Sequence, residues 1–162
     1  FLYGGDANDT LFGDDGKDCL HGDAGNDIGY GGAGDDLLYG ELGNDTLYGG
    51  DGSDIIRGGQ GDDSITGGAG KDYFVFTNEV TGITSLNQLN FGNDVVVDFR
   101  PGEDILAFEG NMATLITNMG DITSRLTEVG GNAVITFSAN ASITLVGVHA
   151  SQLSATDFYT SN

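Results

Sequence analysis

The chain has 162 residues, with 25 acidic side chains against five basic ones, a formal net charge of −20, 29 glycines and a single cysteine. That balance excludes nucleic acid as a partner, because a phosphate backbone needs a basic face, and it disfavours anionic membrane surfaces unless a cation bridges the two. One cysteine (Cys19) excludes an internal disulfide, and no apolar run is long enough to span a bilayer.

Phe1, Leu2 and Tyr3 match the last three positions of a unit that then recurs eight times without insertion. The copies are GGDANDTLF, GDDGKDCLH, GDAGNDIGY, GGAGDDLLY, GELGNDTLY, GGDGSDIIR, GGQGDDSIT and GGAGKDYFV. Position 1 is always glycine: Gly4, Gly13, Gly22, Gly31, Gly40, Gly49, Gly58 and Gly67. Position 6 is always aspartate: Asp9, Asp18, Asp27, Asp36, Asp45, Asp54, Asp63 and Asp72. Position 8 is large and apolar except at Gly29, which predicts a local gap in the core. The chain begins inside a repeat, with neither an initiator Met nor a signal segment before it, so it is expected to be a piece of a longer protein.

Such a period decides the architecture. The glycine-rich first six residues form a turn, and the last three form a short strand with one inward apolar side chain between two outward ones. Two units make one coil of a flattened parallel roll, with successive coils about 4.8 Å apart. The core is thin, and the position-6 aspartates of successive coils fall near one another, where bare carboxylates repel. Both problems call for a hard divalent cation between the turns. Calcium accepts six to eight carboxylate and carbonyl oxygens in flexible geometry, whereas magnesium demands a strict octahedron and zinc needs Cys and His in greater number. Residues 1–76 hold 16 acids and three bases, a balance of −13 that about six calcium ions would nearly neutralise.

The repeat GGxGxDxUx, with U large and apolar, resembles the nonapeptide of the RTX (repeats-in-toxin, haemolysin-type calcium-binding) family. The resemblance implies that each ion takes the carbonyls at positions 2 and 4 and the Asp of one turn. The turn one coil later adds its carbonyls at positions 1 and 3 and its own Asp. One edge would use Gly5, Ala7 and Asp9 with Gly22, Ala24 and Asp27. It would continue with Asp23, Gly25 and Asp27 against Gly40, Leu42 and Asp45, then Glu41, Gly43 and Asp45 against Gly58, Gln60 and Asp63. The opposite edge would use Asp14, Gly16 and Asp18 with Gly31, Ala33 and Asp36. There follow Gly32, Gly34 and Asp36 with Gly49, Asp51 and Asp54, then Gly50, Gly52 and Asp54 with Gly67, Ala69 and Asp72. Gly59 and Gly61 hold the same two positions in the seventh repeat. Six sites are implied. Ala7, Asp14, Asp23 and Glu41 replace consensus glycines, which the scheme tolerates because the ligand there is a carbonyl.

After Val75 the period stops, and the expected division is a roll over 1–76 and a β-rich cap over 77–162. Residues 76–89 read as irregular, with a short helix near Ser85–Leu89. Asn93–Phe99, Ile105–Phe108 and Ser142–Val148 read as strands, with PGED (101–104) a turn. Leu126–Val129 and Ala133–Phe137 flank a Gly-Gly-Asn hairpin signal; 111–125 is ambiguous, and 151–153 and 156–158 read as turns or helical ends. DVVVDFRPGEDILAF and ITLVGVHASQLSATDF resemble the segments that follow the roll and end the chain in the family. That resemblance implies an uncleaved C-terminal signal read by a type I secretion apparatus, and so export from a Gram-negative bacterium to the outside. Asp94, Asp98 and Asp104 either complete a calcium site at the roll's end or cap strands and turns.

Position 9 lines up Phe12, Tyr30 and Tyr48 on one face and Tyr3, His21 and Tyr39 on the other. Each set is expected to form an aromatic ladder that stabilises the sheet; a polysaccharide-binding face is the alternative. No H-E-x-x-H or G-x-S-x-G motif is present, and neither His21 nor His149 has a nucleophile at a recognisable spacing. The expectation is an all-β parallel β-roll, without catalysis of its own, that folds on calcium as an export and stability module. Its parent would be a secreted protease, lipase, polysaccharide-modifying enzyme or adhesin.

Overall fold

A computed structural model describes residues 1–78, 85, 89–116 and 118–160. The chain is an all-β parallel roll followed by a β-rich C-terminal region. One sheet stacks β1 (Leu2–Gly5), β3 (Cys19–Asp23), β5 (Leu37–Leu42), β7 (Ile55–Gln60) and β9 (Tyr73–Phe76). The facing sheet stacks β2 (Thr10–Phe12), β4 (Ile28–Ala33), β6 (Thr46–Asp51) and β8 (Ser64–Ala69). Every pairing within the roll is parallel with a step of 18 residues, so position 8 stacks on position 8: Leu20 on Leu38, Leu38 on Ile56, Ile56 on Phe74. These side chains are almost fully buried.

The strands are longer than the three residues the alternation predicts. From β4 to β8 each runs six residues, through position 3 of the next unit, because the glycine-rich stretch keeps pairing across coils (Gly32 with Gly50, Gly50 with Gly68). Position 2 holds positive φ throughout, and Asp14, Asp23 and Glu41 adopt φ of 69°, 69° and 77° where other repeats use glycine. The turn geometry thus survives these substitutions. The gap expected at Gly29 is largely closed, since a Cβ there would lie 3.1 Å from Leu47 Cδ2 and 3.7 Å from Leu38 Cδ2.

Coiling does not stop where the glycines thin out. β10 (Gly92–Val96) pairs in parallel with β8, and β11 (Ile105–Phe108) with β9. Asp94 and Asp104 fall at position 6 of these two further turns, Val96 and Leu106 at position 8, and Gly92 and Gly102 at position 4. β14 (Ala141–Leu145) then adds to β10, and β15 (Phe158–Thr160) to β11. β12 (Leu126–Val129) and β13 (Asn132–Ser138) form the expected antiparallel hairpin, closed by Gly130 and Gly131 at φ 61° and 84°, and β13 pairs with β14. The ambiguous stretch contains two single-turn helices, α1 (Asn111–Leu115) and α2 (Met119–Thr123), the second capped by Asn118 and Asp121. Short 3-10 helices cover Ala150–Gln152 and Ala155–Asp157. The helix expected near Ser85–Leu89 lies outside the described residues.

The core thickens toward this end. Phe76, Phe91, Phe108, Phe137 and Phe158 are linked by ring contacts with centroids 5.8–6.5 Å apart, and Phe74 packs on Phe99 at 6.0 Å within the same hydrophobic core.

Candidate metal centre

The turns place the position-6 aspartates in two rows, one along each edge. In the first row Asp9, Asp27, Asp45 and Asp63 donate their backbone N–H to Oδ1 of Asp27, Asp45, Asp63 and Asp94, at 2.8–3.1 Å. In the second, Asp18, Asp36, Asp54 and Asp72 donate to Oδ1 of Asp36, Asp54, Asp72 and Asp104, at 2.8–3.1 Å. From Asp27 and Asp36 onward each carboxylate is therefore fixed by one oxygen to the preceding coil. Asp27, Asp36, Asp45, Asp54, Asp63 and Asp72 are at most 2% exposed.

The second oxygen is where a cation fits. Oδ2 of Asp9, Asp27, Asp36, Asp45, Asp54 and Asp63 is buried and has no hydrogen-bond partner. An unpaired buried carboxylate oxygen is expensive, and six in two regular rows are not accidents of packing. A Cβ on Gly22, Gly31, Gly40 or Gly49 would meet both Oδ2 of its own turn and the position-1 carbonyl one coil on, so only glycine leaves that space open. At position 4, a Cβ on Gly34, Gly43, Gly52 or Gly61 would collide with the position-4 carbonyl one coil back. Among the described residues, no three His, Cys, Asp or Glu side chains group to hold a metal on their own. Each gap offers two carboxylates with backbone carbonyls around them, a hard-oxygen set suited to calcium and not to zinc.

Electrostatics agree. Burial pushes the carboxyl of Asp63 up to about 7 and those of Asp45 and Asp54 to about 6, and raises Asp36 and Asp72 as well. Backbone hydrogen bonds oppose the shift, and the neighbouring aspartates add to it. Asp94 is pushed up to about 9 by burial and by Asp63.

All eight position-6 aspartates stand in the two rows, with the position 1–4 carbonyls of the implied sets on the same turns. Asp94, Asp98 and Asp104 are not brought together. Asp94 extends one row, Asp104 the other, and Asp98 accepts the N–H groups of Gly67 and Gly68 at 2.9 and 2.8 Å. The sequence did hold the signal for the two extra turns, since GNDVV and GEDIL keep Gly, Asp and an apolar residue at positions 4, 6 and 8.

A further row escaped the sequence reading. At position 5, Oδ1 of Asn8, Asn26, Asn44 and Asp62 accepts the N–H of Asn26, Asn44, Asp62 and Asn93, at 2.8–3.0 Å. These bonds point forward along the roll while those of position 6 point back, so the turns of this edge are tied in both directions. On the opposite edge Asp35 accepts from Ser53 N–H at 3.0 Å and pairs with Lys17 at 2.6 Å, an exposed contact worth little.

Both aromatic ladders exist. Tyr3, His21 and Tyr39 stack at 4.9 and 4.7 Å, and Phe12, Tyr30 and Tyr48 at 5.0 and 4.9 Å. Cys19 is a free thiol, 9% exposed and 3.3 Å from His21 Nε2.

These features define a parallel β-roll whose inter-coil gaps present oxygen ligands to a cation. The family described as RTX calcium-binding nonapeptide repeat (4 copies) matches residues 1–29, 21–56 and 48–77. Residues 1–77 thus carry RTX calcium-binding nonapeptide repeats, and the family's repeats bind calcium. Comparison with curated proteins gives no match. Among solved structures, the chain is similar to the extracellular lipase LipA from Serratia marcescens, at 19% identity and a TM-score of 0.49, over 98% of this chain and 39% of the lipase. It is also similar to the AlgE6R3 and AlgE6R2 subunits of the Azotobacter vinelandii mannuronan C5-epimerase. The identities are 28% and 25% and the TM-scores 0.46 and 0.47, over 92% and 83% of this chain and 81% and 92% of those chains. The matched family is a calcium-binding repeat, not a catalytic one. Among the described residues no helix is long and apolar enough to cross a membrane.

Proposed function

We propose that this chain is a calcium-dependent folding module of a larger secreted protein, with calcium held between its coils by the two aspartate rows. The observation that carries the reading is the set of six buried Oδ2 atoms without partners. Calcium, when bound, supplies the positive charge these oxygens lack. The six gaps are those between Asp9 and Asp27, Asp27 and Asp45, Asp45 and Asp63, Asp18 and Asp36, Asp36 and Asp54, and Asp54 and Asp72. The continuation of the first row to Asp94 adds a seventh, between Asp63 and Asp94.

The chain's own residues then couple binding to folding. In the unfolded chain the aspartates are far apart and solvated, so no site exists. In the fold they are desolvated in rows, and binding free energy becomes folding free energy. Extracellular calcium modules typically bind at about 10⁻⁴ to 10⁻³ M, so the low calcium of a bacterial cytosol would leave the chain open and the exterior would close it. Export by a type I apparatus, reading the C-terminal segment, follows from the resemblance of that segment. The ladder geometry favours this role over polysaccharide binding, because the inner ring faces are stacked on one another and offer a sugar ring their edges only.

Calcium titration into metal-stripped protein, followed by far-UV circular dichroism, tests the reading. A cooperative gain of β signal at submillimolar to millimolar calcium, and not with magnesium, is expected. A roll already complete in chelator would refute it.

A further inference from the structure

The two rows end differently. The gap between Asp63 and Asp94 contains the buried, unpartnered Oδ2 of Asp63. The corresponding gap on the other edge, between Asp72 and Asp104, is filled. The guanidinium of Arg100 enters it, with Nη2 3.3 Å from Asp72 Oδ2 and 3.2 Å from Asp104 Oδ1, and the same nitrogen donates to the carbonyl of Gly70. Asp72 and Asp104 are the two position-6 carboxylates of that gap, and Gly70 stands at position 4 of its turn. Arg100 itself sits at position 2 of the last turn, where a residue without a long side chain would leave the gap open. Its Nε lies 3.4 Å from Asp104 Oδ2, its backbone N–H donates to the same oxygen at 2.8 Å, and Nη1 lies 3.5 Å from Glu103. The side chain is about one third exposed, while Asp72 and Asp104 are buried.

We propose that Arg100 is a built-in cation that takes the place of calcium at the last gap of this edge, so that the Asp72–Asp104 gap binds no metal. The chemistry is complementary. A guanidinium is permanently charged, presents several donors in one plane, and meets carboxylate and carbonyl oxygens at hydrogen-bond distance. A metal ion placed beside it would meet a second positive charge. The last turn is thereby joined to the repeats at any calcium concentration, next to the aromatic cluster that gives this end its conventional core. The inference rests on the calcium reading of the other gaps.

The test is a crystal of the wild-type chain grown in calcium, with anomalous difference maps recorded at a wavelength where calcium scatters. Peaks are expected in the other seven gaps and none between Asp72 and Asp104, where Arg100 should remain. Arg100→Gln is expected to bind one more calcium per chain than wild type by equilibrium dialysis. A wild-type peak in the Asp72–Asp104 gap, with Arg100 turned out, overturns the inference and leaves the calcium reading intact. So does a folded Arg100→Gln that binds the wild-type number of ions. A map with no peak in any gap overturns the calcium reading and this inference together. If Arg100→Gln does not fold, the wild-type map alone decides.

Discussion

Replacing Asp54 with Asn should move the metal-free and the calcium-bound fold in opposite directions. Asp54 is fully buried, its Oδ1 accepts Asp36 N–H at 2.9 Å, its own N–H donates to Asp72 Oδ1 at 3.0 Å, and its Oδ2 is unpartnered. Asparagine keeps the first two bonds and removes the charge. In chelator that relieves a buried carboxylate whose ionisation burial opposes, with a pKa near 6, so the metal-free fold gains stability at pH 7.5. In calcium, the gaps on both sides of Asp54 lose one of their two carboxylates. If each loses about tenfold in affinity, or ~1.4 kcal/mol, the calcium-bound roll loses on the order of 3 kcal/mol. The assay is a calcium titration by circular dichroism beside thermal melts in chelator. Asp62→Asn is the control, since it removes the same charge from an exposed position-5 residue of the neighbouring turn and keeps an acceptor for Asn93 N–H. The calcium midpoint should rise clearly for Asp54→Asn and little for Asp62→Asn. Equal shifts would mean that net charge, not the row, governs binding, and the site assignment would fall.

The raised carboxyls set a pH dependence. Folded values of about 6 for Asp45 and Asp54 and about 7 for Asp63 exceed the unfolded value near 3.8, so the folded state binds protons more tightly and gains stability as pH falls from 7.5 toward 5. The metal-free melting temperature should be higher at pH 5.5 than at pH 7.5, and the calcium midpoint should also rise because protons compete; a metal-free melting temperature lower at pH 5.5 would contradict this. Gly52→Ala forces a Cβ against the carbonyl of Gly34 at φ 141°, and should lower stability in saturating calcium by about 2 kcal/mol or more, read by urea denaturation. Gly29→Ala meets only leucine methyls at 3.1 Å and beyond, and should be tolerated or stabilising by up to ~1 kcal/mol in the same assay. Tyr30→Ala removes two stacks, worth about 1–3 kcal/mol together, and should leave calcium stoichiometry unchanged by equilibrium dialysis.

The period made most of the roll legible. A nine-residue unit with invariant Gly and Asp dictates the coil, the 18-residue register, the inward column and the aspartate rows, and all follow from local spacing. What escaped the reading depends on the third dimension. The position-5 row was hidden because Asn, Asp, Ser and Lys share that position, and only stacking shows that their oxygens reach forward to the next N–H. The two further turns look like ordinary strands in the sequence because Leu89 to Phe91 and Phe99 to Pro101 replace the glycines of positions 1–3. Once the core is thick with phenylalanine, packing rather than glycine geometry brings these turns into register, and the nine-residue signature is free to decay. The role of Arg100 could not be read at all, since the partners of its guanidinium are 28 and 30 residues upstream as well as four residues on.

These features also grade the molecule along its axis. At the first coils the inward column is Leu2, Leu11, Leu20 and Gly29, and adhesion there depends on glycine-backbone ladders, stacked rings and whatever neutralises the aspartates. At the other end seven phenylalanines pack in or against one hydrophobic core, Arg100 neutralises its own gap, and antiparallel β12 and β13 close one sheet. Stability in the absence of calcium should therefore be concentrated in the last turns and the hairpin, with the early coils the first to open. In chelator the circular dichroism spectrum should keep part of its β signal. Hydrogen exchange should place that residue of protection at Val96, Leu106, Ile135 and Ile143, and not at Leu20 or Leu38. Protection spread evenly across both groups would show that metal-independent cohesion of the coils, rather than a core at one end, holds the calcium-free roll.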